Sequence, residues 1–305
     1  MRDEEVSNLQ ASVVGGSVLQ TYHPAVAAPF LRAVPSPPPL PSFEVLGVRV
    51  NAVQMSEAVE RMRSWVDAPY CKTYFVAVTA MHPVAEARHN DDYRRILNSA
   101  DLAVPDGMPL VWLARLNGFA LKNRVCGSEL MESFCRTTGS AYRHFFYGGT
   151  PGVAEKLAQA FHEKYGIVIA GTYTPPFRAL TEAEEEEIAS QVEVSSPDVL
   201  WVGLSSPKQE KWIDEHRQHL KIPVMLAVGA AFDMNSGITR RAPAWMRKYA
   251  LEWLYRLWSE PRRLWKRYLF TIPKAMWFVA LEVIGSSMSS SVRGKGGAPF
   301  NAVRE

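Results

Sequence analysis

Between Tyr74 and Val228 short apolar runs alternate with longer amphipathic ones, and this alternation restricts the possible folds more than any other feature of the chain. Tyr74 to Thr79, Leu102 to Val104, His144 to Tyr147, Ile167 to Gly171, Val199 to Gly203 and Pro223 to Val228 read as strands. Val84 to Leu97, Leu110 to Leu116, Ser128 to Thr137 with Ser128 as N-cap, the stretch from Gly152 to Lys164, Glu182 to Val194 behind Thr181, and Pro207 to His219 read as helices. Strands apolar on both faces and separated by helices belong to a mostly parallel sheet covered on both sides. The expectation is an α/β, Rossmann-like fold. Upstream, Phe43 to Val50 reads as a short strand paired with a neighbour, and Ser56 to Val66 as a helix capped by Ser56.

The chain of 305 residues can bury a full core. We expect a Pro-rich disordered leader over 1–42, an α/β domain over 43–240, a basic and aromatic helical appendage over 241–285, and a disordered Ser/Gly-rich tail over 286–305. Cys71, Cys126 and Cys135 form neither an even framework nor a CxxC pair, so they read as reduced packing residues of a cytoplasmic protein. The start lacks a basic segment followed by an apolar block, and no apolar run reaches the ~18 residues of a spanning helix. Ala275 to Ile284 is too short and carries Glu282. Membrane contact would therefore be peripheral.

The chemistry-bearing residues gather where strands end. Pro105 stops the strand that begins at Leu102, and Gly107 turns the chain, which delivers Asp106 to a carboxyl edge. A carboxylate there can serve as base for an incoming hydroxyl; the alternative is a plain Asp-Gly turn. Gly148-Gly149-Thr150-Pro151-Gly152 joins a strand to a helix, and its backbone N–H groups with the helix dipole suit a phosphate. The same loop also reads as a Gly-rich connection without ligand. It lacks GxGxxG spacing, and the following strand end, Gly171-Thr172, has no acid for a ribose.

Ser205-Ser206-Pro207-Lys208-Gln209 repeats the layout with a cation and an amide added, suited to a diphosphate and a sugar or base edge, unless both are solvated first-turn residues. Val228-Gly229-Ala230 ends a strand in small residues that admit a ligand to the backbone. One nucleotide-type ligand along the edge accounts for all of these. No Asp-x-Asp or paired-histidine spacing occurs, so metal-dependent handling of the diphosphate is not expected; no nucleophile elbow occurs either, and no cofactor is expected.

From Arg240 to Lys274 ten basic residues face only Glu252 and Glu260, with Trp245, Trp253, Trp258 and Trp265 interleaved and Trp277 just beyond. Helices mixing cations with Trp and Tyr suit the headgroup layer of an anionic leaflet. A packed helical hairpin with surface arginines is the structural alternative. A nucleic-acid surface comes last, for want of any reading-helix or RNA-binding motif. Arginines beside a phosphate-binding edge also suit bidentate clamping of a diphosphate.

Together the stretches 100–108, 124–130, 148–152, 171–177, 203–212, 228–233 and 241–246 resemble, in order, the WecG/TagA/CpsF family, glycosyltransferase family 26. The resemblance spans roughly Phe43 to Phe278 and leaves the leader uncovered. It implies metal-independent, inverting transfer of a sugar of the N-acetylmannosamine, N-acetylmannosaminuronic acid or glucose class. The implied donor is a UDP-sugar and the acceptor a polyprenyl-diphosphate-linked saccharide, for cell-surface polysaccharide assembly at the inner face of the plasma membrane. It implies Asp106 as base, Thr79 beside the acceptor, and Gln209 as a substrate-binding residue. With the loop readings above, the donor set is Gly148, Gly149, Thr150, Pro207, Lys208, Gln209, Gly229, Arg256 and Arg263, with Arg247 and Arg262 as further basic candidates. The implied partners are that donor, that acceptor and an anionic membrane surface, without nucleic acid; a homo-oligomer is left open.

Two positions depart from the family pattern: Thr79-Ala80-Met81 stands where Thr-x-Asn is common, and Pro109 where Gly is common. Both flank the implied acceptor site and bear on the identity of sugar and acceptor. The competing readings are a nucleotide-binding oxidoreductase and a non-enzymatic peripheral membrane scaffold.

Overall fold

The structure is a computed structural model that describes residues 38–292 apart from 244, 247, 248 and 250, without the side chains of 263 and 283–292. Strands β1 (Ser42–Val45) and β2 (Val48–Asn51) form an antiparallel hairpin of their own. Leu46 and Gly47 both turn through positive φ, the backbone that lets two strands reverse in two residues. In α1 (Met55–Asp67) the N-cap is Gln54, whose N–H donates to Glu57 Oε2 at 2.6 Å; Ser56 already lies inside the helix.

The main sheet contains β3 (Tyr74–Thr79), β4 (Leu102–Pro105), β5 (Arg143–Gly148), β6 (Val168–Tyr173), β7 (Val199–Gly203) and β8 (Val224–Ala227). All neighbours pair in parallel, in the order β4-β3-β8-β7-β5-β6. The expected α/β, Rossmann-like class is what is found. Successive residues point to opposite faces, and each face has its own core. Phe75, Ala77, Leu200, Val202, Met225 and Ala227 pack with α2 (Met81–Ala87), α3 (Asp91–Asn98), α4 (Met108–Leu116), α7 (Glu182–Ser195) and α8 (Lys208–His216). Val76, Val78, Leu102, Val104, Phe146, Trp201 and Leu226 pack with α1, α5 (Gly127–Thr138), α6 (Val153–Tyr165) and α9 (Ala231–Asn235).

The hairpin covers the outer edge of β4, where the buried Asn51 Oδ1 accepts from Ala103 N at 2.8 Å. A backbone group that would otherwise invite another strand is thereby satisfied. The chain then continues beyond α9 into α10 (Glu252–Ser259), α11 (Pro261–Lys266), a π-helical stretch over Arg267–Thr271, and α12 (Ile272–Val292).

Several local expectations are corrected. The helix expected over Val84 to Leu97 is two, because Asn90 caps α3 by accepting from Tyr93 N at 2.9 Å. Helix α5 starts at Gly127 with Cys126 at the cap, so Ser128 is a buried helical residue rather than a cap. Helix α8 ends at His216, short of His219. Helix α12 runs through Ser286 to Val292, part of the stretch expected to be disordered, since no proline interrupts it; 293–305 lies outside the described residues, as does the leader before 38.

Strand order places the site. The chain leaves β3 toward β4 on one side, then supplies β5 to β8 on the other, so connections diverge at β3/β8 and again at β5/β7. In a parallel sheet such divergence opens a crevice at the carboxyl edge. Thr79, Asp106, Gly148, Gly203 and Val228 all lie along that edge.

Candidate active site

Asp106 follows the last residue of β4, and its N–H donates to the Thr79 carbonyl at 2.7 Å, stitching two strand ends together. Gly107 has φ of 109°, a conformation an L side chain resists, and it redirects the chain into α4 with Pro109 in the first helical turn. Val125 N donates to the Pro105 carbonyl at 2.8 Å, which brings the segment before α5 beside Asp106 and puts Arg124 next to it.

Asp106 is partly buried, and burial raises its carboxyl from 3.8 to about 6. Arg124 and Arg256 pull the value down, while Glu252 and Glu129 push it up. The acid thus sits where a general base for neutral-pH chemistry is most useful, ionised but willing to take a proton.

The segment beyond α9 closes this cluster. Glu252 of α10 is buried and pairs with Arg124 at 2.5 Å, while Glu129 of α5 lies 4.0 Å from the same guanidinium. One turn along α10, Arg256 has a buried Nε with no partner among the described residues. Burial raises the Tyr268 phenol, with Arg256, Arg267, Asp106 and Glu252 as its charged neighbours. Arg241 anchors the start of this segment on α5 through Glu132 at 3.0 Å and Glu129 at 3.1 Å. Arg256, expected on the donor diphosphate, lies close enough to lower the Asp106 carboxyl, whereas Arg247 and the side chain of Arg263 lie outside the described residues.

The other expected residues distribute unevenly. Thr79 is buried beside Asp106, with its hydroxyl turned back toward the Ala77 carbonyl at 3.4 Å. Gly148 and Gly149 stand at the β5/β7 divergence, but packing already requires them. A Cβ on Gly148 would lie 2.6 Å from the Gly203 carbonyl oxygen, and one on Gly203 would meet the Phe232 ring at 2.6 Å. The Gly149 N–H, expected to await a phosphate, donates to Gly203 O at 3.0 Å, because the two strand ends approach this closely. Thr150 is exposed, and its carbonyl accepts from Val153 N at 2.9 Å.

Pro207 precedes α8, and Lys208 is exposed in its first turn. Gln209 is only 3% exposed, and its amide faces Gly229 at the end of β8. The sequence reading missed Arg124, Glu252 and Tyr268 as site residues. Glu252 had a signal, being one of two acids among ten bases. Arg124 lay inside a family-like stretch, but only the Val125–Pro105 bond reveals its neighbour.

The carboxyl edge of this parallel sheet holds a raised acid with two arginines acting on it, an arrangement suited to an α/β group-transfer enzyme. The chain belongs to the WecG/TagA/CpsF glycosyl transferase family, whose model matches residues 43–288. It is similar to the N-acetylglucosaminyldiphosphoundecaprenol N-acetyl-beta-D-mannosaminyltransferase of Bacillus spizizenii, 36% identical over 191 residues that make up 62% of this chain and 72% of that one. The Bacillus subtilis protein of the same name is 33% identical over 60% of this chain and 70% of its own. The one from Staphylococcus aureus strain MRSA252 is 26% identical over 78% of this chain and 91% of its own. The chain is a glycosyltransferase of the hexosyl type, which sets aside the oxidoreductase and scaffold readings.

Proposed function

We propose that the chain transfers N-acetylmannosamine, or a closely related sugar, from a UDP-sugar to a polyprenyl-diphosphate-linked N-acetylglucosamine, with inversion and without a metal. The names of the relatives support the sugar and the acceptor. The observation that carries the reading is Asp106, partly buried with its carboxyl raised to about 6 beside Arg124 and Arg256.

In this mechanism Asp106 takes the proton of an acceptor hydroxyl as that oxygen bonds to the anomeric carbon. The bond from that carbon to the diphosphate oxygen breaks, and UDP leaves with the electron pair. A single displacement from the opposite face inverts the anomeric centre. Arg124 and Arg256 supply fixed positive charge where the leaving diphosphate develops negative charge, in a partly dehydrated site where such charge acts strongly. Thr79 flanks the acceptor; Gly148, Gly149, Thr150, Pro207, Lys208, Gln209, Gly229 and Arg263 belong to the donor side.

The acceptor's lipid requires the enzyme at a membrane surface. Among the described residues no helix is long and apolar enough to cross one. Trp245, Trp258, Trp277 and Phe270 are exposed on the C-terminal segment, with Arg262, Lys266 and Lys274 exposed among them. That mixture suits peripheral docking on anionic headgroups. The test is transfer from a panel of UDP-sugars to a short-chain prenyl-diphosphate N-acetylglucosamine. We expect a β-linked disaccharide from UDP-N-acetylmannosamine at undiminished rate in chelator; no product from any donor overturns the reading, and rates abolished by chelator overturn its metal-free part.

A further inference from the structure

Gln209 is held by its own neighbour in the chain. Its Nε2 donates to Glu210 Oε1 at 2.9 Å and lies 3.4 Å from Ser206 Oγ, which itself donates to Glu210 Oε1 at 2.7 Å. Both Gln209 and Glu210 are buried, at 3% and 1% exposure. The fully buried Tyr93 of α3 faces the same carboxyl group. Burial raises the Glu210 carboxyl, while the hydrogen bonds from Ser206 and Gln209 favour the charged form.

A carboxylate only accepts, and an amide has one donating and one accepting end. With Nε2 committed to Glu210, flipping the amide would set two oxygens against each other. The orientation left to Gln209 presents Oε1, which is buried and without a partner among the described residues. That oxygen lies 3.5 Å from where a Cβ on Gly229 would stand, so it faces the carboxyl end of β8 at the β3/β8 divergence. A buried acceptor left without a donor is unfavourable, so the position calls for a ligand N–H or O–H.

We infer that Glu210 is a positioning residue that locks the Gln209 amide with its carbonyl toward the donor substrate, so that this point of the site selects for a hydrogen-bond donor on the ligand. The inference rests on the UDP-sugar reading of the edge. Two groups of such a donor have the required chemistry, the acetamido N–H of the sugar and the N3–H of the uracil ring.

The test uses the full chain with Glu210→Gln, Gln209→Ala and the double variant, reading donor KM, kcat and melting temperature. Glu210→Gln lets the amide rotate, and we expect donor KM to rise about tenfold with kcat changed less than about twofold. Gln209→Ala raises KM similarly, and the double variant is no worse than Gln209→Ala alone, because Glu210 acts only through that amide. Should Glu210→Gln fail to fold, Ser206→Ala serves in its place, and the same coupling to Gln209→Ala is expected.

Independent, multiplying effects overturn the inference, as does a folded Glu210→Gln with wild-type KM. Binding of UDP alone, compared with UDP-N-acetylmannosamine and UDP-glucose, separates the two ligand groups. Loss for UDP itself assigns the uracil, and loss confined to the N-acetylated sugar nucleotide assigns the acetamido group. A wild-type protein that neither binds nor uses any UDP-sugar overturns the donor reading, and the lock with it, whereas turnover with uncoupled variants overturns the lock alone.

Discussion

Replacing Asp106 by Asn should make the protein more stable while nearly abolishing its activity. The carboxyl moves from 3.8 to about 6 on folding, about two units at 1.36 kcal/mol each, or about 3 kcal/mol as an upper bound. Asp106 is partly exposed, and solvent screening reduces this to about 1–2 kcal/mol. The sign follows from proton linkage. Between the two values the folded state binds the proton more tightly than the unfolded chain, so this group's contribution to stability falls as pH rises from 3.8 through about 6. At neutral pH wild type carries the full penalty of a buried charge, and Asn, which never ionises, does not. Differential scanning calorimetry at about pH 7.5 should show Asp106→Asn melting roughly 2–6 °C higher, with the gap closing below about pH 4. Losing a general base lowers turnover by about 10²- to 10⁴-fold. A variant that melts lower than wild type at about pH 7.5, or one that keeps its rate, refutes the reasoning.

Four further outcomes follow from other parts of the structure. Glu252→Gln removes the nearest of the three acids around Arg124, leaving Asp106 and the more distant Glu129, and should lower stability by about 1–3 kcal/mol in urea unfolding. Since Glu252 raises the Asp106 carboxyl, the same variant should shift the acid limb of activity to lower pH. Gly203→Ala places a methyl 2.6 Å from the Phe232 ring and should destabilise by about 1–3 kcal/mol, read by thermal melting. Reversing both Arg262 and Lys266 to Glu should lower partitioning onto anionic vesicles at least about tenfold, at about 1 kcal/mol per cation, with little change on neutral vesicles, measured by flotation.

The layers and the site's edge were legible because they follow from period and punctuation. Apolar runs of strand length between helices require a parallel sheet, and Pro105 with Gly107 fixes where β4 ends and so where Asp106 stands. Helix boundaries were less legible. Asn90 competes for a backbone N–H inside what reads as one amphipathic stretch, and Gln54 displaces Ser56 as a cap through a carboxylate three residues on.

The glycines of the β5 loop show a different limit. Their pattern fits phosphate binding and tight packing equally well, and only the Phe232 ring and the Gly203 carbonyl, distant in sequence, show that packing demands them. The Arg124–Glu252 pair was hidden for the same reason, since its partners lie 128 residues apart and meet only once α10 folds back on the sheet edge.

The most direct test is the pH dependence of kcat/KM for sugar transfer from about pH 4.5 to about pH 8, in wild type and in Asp106→Asn. The account predicts an acid limb in wild type with an apparent pKa of about 6, and no such limb in the residual activity of the variant. A wild-type profile flat down to about pH 4.5, or the same limb persisting without the Asp106 carboxyl, contradicts it.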